Sequence, residues 1–110
     1  MSLKLIDPST LKDVVRVDKD TVTFTLVSDD SSIVVVKVHR YMKGWTPYIS
    51  VTIDNVSYHD ADVEPGDMVF FDELMNRALT FKDLNFNTHR KTMFDLLKTT
   101  VSYTETGFHL

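Results

Sequence analysis

Ser32 to Tyr41 reads Ser-Ile-Val-Val-Val-Lys-Val-His-Arg-Tyr, the most β-prone run in the chain. Successive side chains of a strand point to opposite faces, so Val34, Val36 and Val38 fall on one side, and Ile33, Val35, Lys37, His39 and Tyr41 on the other. The first side is apolar throughout and the second turns polar toward Tyr41, which predicts a central strand with one buried face. Thr21 to Val27 alternates more cleanly, with Val22, Phe24 and Leu26 inward, and Tyr48 to Ile53 repeats the pattern with Ile49, Val51 and Ile53 inward. Shorter runs at 14–17 and at 56–59, where Val56 and Tyr58 continue the inward series, complete the β-pattern.

The polar segments between these runs are short. Asp18-Lys19-Asp20 and Ser28-Asp29-Asp30-Ser31 are turn formers, since their side chains bond nearby backbone groups. Met42 to Pro47 reads as a loop interrupted by Gly44 and Pro47, and Asp54-Asn55 as a two-residue turn, because both residue types tolerate positive φ. Connections this short favour an antiparallel meander in which sequence neighbours pair. Ahead of the first strand, Asp7-Pro8-Ser9-Thr10 permits one helical turn ending near Lys12.

The last third changes period. Glu64-Pro65-Gly66-Asp67 allows two readings: a turn, with the helix proper over 69–80, or a helix from Pro65 with Phe70, Leu74, Ala78 and Phe81 in one stripe. The reading adopted is the turn. Met93, Phe94, Leu96, Leu97 and Val101 predict a second helix over 88–100. Residues 102–110 either fray or add a strand through Val101 and Tyr103. The expected fold is therefore α+β and two-layered: a meander sheet of four to five strands (14–17, 21–27, 32–41, 48–53, 56–59) covered on one face by helices at 69–80 and 88–100.

Composition sharpens this without redirecting it. The 110 residues, 43% hydrophobic and 25% charged, suit a single domain over 1–110 with an ordinary core. With no cysteine, disulfides and thiolate chemistry are excluded. The first eight residues read as neither a secretory signal nor a membrane span, which makes a cytoplasmic location the expectation and discounts the Asn55-Val56-Ser57 sequon. Net charge is −4, and its placement is uneven. Up to Tyr58 seven Lys and Arg balance seven Asp, whereas 59–76 holds six carboxylates and no Lys or Arg.

Motifs of known chemistry are missing. Asp60-Ala61-Asp62-Val63-Glu64 begins as a calcium loop does, but Pro65 stands at the sixth position and Phe71 at the twelfth, where Gly and Glu are required. With three glycines and no phosphate-loop, nucleophile-elbow or zinc-peptidase pattern, neither a cofactor nor a metal is expected and a non-enzymatic role is preferred. The four histidines, and His59 with Glu64, are the remaining groups that folding could join into an acid-base site.

Two surfaces stand out. Asp60, Asp62, Glu64 and Asp67 form an acidic rim suited to a protein partner with a basic surface, as in an accessory or regulatory interaction module. Lys37, His39, Tyr41, Lys43, Trp45 and Tyr48 interleave cations and rings as single-stranded nucleic acid requires, which is the alternative; Arg40 belongs to the cluster in sequence, though alternation turns it away from Lys37, His39 and Tyr41. A third expectation is self-association: Ile33 and Val35 leave an outer apolar patch that a homodimer would cover.

Overall fold

The computed structural model describes residues 7–28, 30–63, 65–81 and 86–106. The chain enters through a 3-10 turn over Pro8–Thr10, where Asp7 Oδ1 accepts the Ser9 N–H at 2.9 Å and Pro8 presets the helical φ. Five strands follow: β1 (Leu11–Asp18), β2 (Thr21–Val27), β3 (Ile33–Lys43), β4 (Thr46–Ile53) and β5 (Val56–Asp62). All pair antiparallel in sequence order, the meander that short connections dictate. Two helices close the fold, α1 (Pro65–Phe81) and α2 (Phe86–Thr106). Among the described residues no helix is long and apolar enough to cross a membrane.

Two of the turns set the register of the strands that carry the site. Asp54 and Asn55 both take positive φ (52° and 67°), the mirror-image geometry that matches strand twist. Asp54 also ties this turn to β3, accepting the Val35 N–H at 3.0 Å and donating its own N–H to Val35 O at 2.9 Å. Between β3 and β4 the expected six-residue loop shrinks to Gly44 and Trp45. Gly44 supplies the positive φ (65°) at the first turn position, so Lys43 lies opposite Thr46 and both strands extend to the tip.

One sheet face is dry. Val22, Phe24, Leu26, Val36, Val38, Ile49, Val51 and Ile53 are buried in one cluster with Phe71, Leu74, Met75 and Ala78 of α1 and Met93, Phe94, Leu97 and Val101 of α2. Each such side chain contributes about 1.5–3 kcal/mol on leaving water, which is what holds both helices to this face. On the outer face, side chains of β3, β4 and β5 are half-buried or exposed.

The structure departs from the sequence-based expectation at element ends. The first helix begins at Pro65 rather than 69, because proline at a first helical position lacks only an N–H that would have no helical acceptor there. Its buried stripe is Phe71, Leu74, Met75 and Ala78. The second helix runs from Phe86 through Thr106 rather than over 88–100, so Val101 and Tyr103 are helical and the strand option is closed. β1 starts at Leu11, a fully buried residue that the 3-10 turn feeds directly into the sheet. Val56, though opposite Ile53, remains 67% exposed, because it occupies the corner of an edge strand with a neighbour on one side only.

Candidate functional site

Pairing register lays side chains in rows across the outer face. Thr21, His39, Ser50 and Asp60 form one row, and Tyr41, Tyr48 and Asp62 the next. The alternation that buries Val36 and Val38 thus delivers His39, Tyr41 and Lys43 in file along β3. Lys37 precedes them in the same file, exposed and opposite Thr52.

Rings and charges interlock along this file. His39 and Tyr41 stack with centroids 5.7 Å apart and planes 10° from parallel, and Tyr48 tilts against Tyr41 at 5.5 Å. Lys43 Nζ lies 5.3 Å from the Tyr48 centroid, within cation–π range. Thr21 Oγ1 and His39 Nδ1 are 2.9 Å apart, which orients the imidazole at the inner end of the row. The Tyr41 hydroxyl donates to Asp60 Oδ1 at 2.5 Å, and this bond pushes the phenol up to about 12, since ionising it would set two anions against each other. Beyond the file, Trp45 projects from the turn at 97% exposure, so it does not pack on the sheet.

The carboxylates divide. Asp60 and Asp62 sit two residues apart on the outer face of β5, both exposed. Asp67 belongs to the first turn of α1, in the helical layer, and Glu64 lies outside the described residues. A regular hairpin about Asp54-Asn55 would have placed Asp60 opposite Ile49, on the helix side. The register shift between Val51 and Thr52 instead pairs Val51 with His59, leaving Tyr58 as the extra residue and moving Asp60 opposite Ser50 and Asp62 opposite Tyr48. This bulge brings two acidic residues into contact range of the aromatic file. No composition or motif signal in the sequence marked it.

Arg40 goes the other way. It projects from the helix side of β3, where Nη2 meets Asp20 Oδ1 at 2.9 Å and Nη1 pairs with Asp72 of α1. Burial works against the guanidinium charge, but the hydrogen bonds to these two carboxylates outweigh it and the pKa is raised. The outer face therefore has Lys37 and Lys43 as its cations near the rings, without Arg40.

The described histidines are not assembled into a site. His39 is on the outer face and His59 is on the helix side of β5, paired with Val51 and held below the usual imidazole range by burial, while His89 is in α2 and His109 lies outside the described residues. Among the described residues no three metal-ligating side chains converge. A separate open groove of about 240 Å³ runs between the helices, lined by Glu73, Arg77, Thr92, Asp95, Leu96 and Thr99, and shares no residue with the outer face. Comparison of the chain with family models, with curated proteins and with solved structures finds no match in any of the three.

Proposed function

We propose that this protein is a non-enzymatic interaction module that docks a basic surface of a protein partner through Tyr41, Trp45, Tyr48, Asp60 and Asp62. The observation that carries this reading is the Tyr41–Asp60 hydrogen bond, which presents ring and carboxylate together on a sheet face that no described element covers. Tyrosine and tryptophan are the side chains that most often anchor protein interfaces, and Trp45 has almost its whole indole available for one. A lysine or arginine arriving at such a patch gains a charge-assisted hydrogen bond from Asp60 or Asp62 and a ring face from Tyr41 or Tyr48.

Single-stranded nucleic acid is the second reading, favoured by the stacked rings with Lys37 and Lys43 beside them. Against it, a base on Tyr41 or Tyr48 would carry its phosphates past Asp60 and Asp62. Arg40 is committed elsewhere.

Emission from Trp45, the one tryptophan, separates the two readings directly. Titration with a short peptide alternating lysine and threonine is expected to shift it at low salt, and the shift should weaken as salt rises and in the Asp60→Asn/Asp62→Asn variant. Mixed-sequence oligonucleotides are expected to leave it unchanged. Oligonucleotide binding that strengthens when the two carboxylates are neutralised, with no response to the peptide, would replace the first reading by the second.

A further inference from the structure

We infer that the outer edge of β5 takes up an extended segment of the basic partner as a sixth, antiparallel strand, with Asp60 and Asp62 holding its lysine or arginine side chains. This rests on the basic-partner reading above and adds the manner of binding. Val63 N–H donates to Pro47 O at 2.9 Å, so the backbone groups of residue 63 point at β4. Alternate residues of an antiparallel strand direct their N–H and C=O groups to opposite sides, which turns those of Asp60 and Asp62 away from β4. Among the described residues no strand lies beyond β5. The two residues that offer backbone pairing are therefore the same two whose carboxylates stand on the outer face.

The opposite edge of the sheet is closed by its own side chains. β1 has register shifts at both ends, Asp13 Oδ1 accepts the Val14 N–H at 2.9 Å, and Arg16 Nε donates to Asp18 O at 3.2 Å. Such bulges and local bonds are how edge strands block added strands. β5 has one register shift, at Tyr58, and it precedes the Asp60–Asp62 segment.

Charge selects the occupant. Two-fold pairing of β5 with a second copy centred on Ala61 sets Asp60 opposite Asp62, and pairing centred on Asp60 sets that carboxylate against itself; like charges directly opposite are destabilising. A strand with lysine or arginine at alternate positions meets the reverse situation. Opposite residues share a face, so its cations at two positions separated by one residue stand beside Asp60 and Asp62, with Tyr41 and Tyr48 next in the rows.

The test uses the full chain and the alternating lysine–threonine peptide in three forms: unmodified, N-methylated on the lysine amides, and N-methylated on the threonine amides. In the proposed strand the lysine amides bond to Asp60 and Asp62 carbonyls and the threonine amides point outward. Lysine methylation is expected to weaken binding at least about tenfold, threonine methylation to leave it unchanged, and the unmodified peptide to slow hydrogen exchange at the Asp60 and Asp62 amides. Equal affinities for all three forms, with exchange at those amides unaltered, would overturn strand addition while leaving the basic-partner reading in place. Failure of the unmodified peptide to bind at low salt would overturn both.

Discussion

Arg40 and Asp72 form an ion pair between the central strand of the sheet and α1. The same guanidinium bonds twice to Asp20 Oδ1, at 2.9 and 3.1 Å, and reaches Lys19 O at 3.3 Å, so it also pins the turn between β1 and β2. One side chain thus connects the sheet's helix side to a loop and to the middle of a helix.

The two partners of Arg40 are unequal. Its own side chain is 20% exposed and that of Asp20 31%, whereas Asp72 is 58% exposed and its pair is screened by water. Arg40→Met should cost about 1–3 kcal/mol, because it removes several charge-assisted bonds at once. Asp72→Asn should cost only about 0–1 kcal/mol. Urea unfolding midpoints measure both, and equal losses would show that the helix contact matters as much as the turn.

Tyr41 provides a pH signature. Its phenol is pushed up to about 12 against 10.0 for an ordinary tyrosine, by its bond to Asp60. A folded-state value above the unfolded one means that this bond supports the fold below about pH 10 and that its contribution disappears as pH rises through about 12. Spectrophotometric titration of the four tyrosines should therefore show one ionising late, and Asp60→Ala should bring that one down toward the ordinary value. A late tyrosine that persists in Asp60→Ala would assign the shift to another cause.

Gly44 tests the hairpin that carries Trp45. A Cβ there would meet nothing within 4 Å, so crowding by neighbours is not at issue, but its φ of 65° is left-handed. Gly44→Ala should cost about 1–2 kcal/mol through backbone conformation alone. Thermal unfolding gives the loss. If Trp45 also serves as an anchor, the variant should bind the basic peptide more weakly through displacement of the tip, with its far-ultraviolet spectrum unchanged.

Which residues form the site was less legible than which form the core. Val22, Phe24, Leu26, Val34, Val36, Val38, Ile49, Val51 and Ile53 could be read as inward from alternation because burial acts on every second position along a strand; all are buried except Val34, which is half-buried against the core. Helix ends were harder to place. Pro65 suits both a turn and a first helical position, and nothing local decides between them. In the structure the helix is already formed at Met68, ahead of the expected start at 69, and that residue packs against the core.

Local pattern by itself determined the α+β class, the meander, the buried face of β2 to β4 and the positive-φ turn at Asp54-Asn55, since each depends on side chains or dihedrals within a few residues. Only the tertiary structure decided the rest, because it depends on register between strands. A single extra residue at Tyr58 reverses the face of everything after it in β5, taking Asp60 and Asp62 from the helix side to the side of Tyr41 and Tyr48. Alternation already turns Arg40 away from His39 and Tyr41, but its partner there, Asp72, is 32 residues away and stands beside it only because α1 packs on that face.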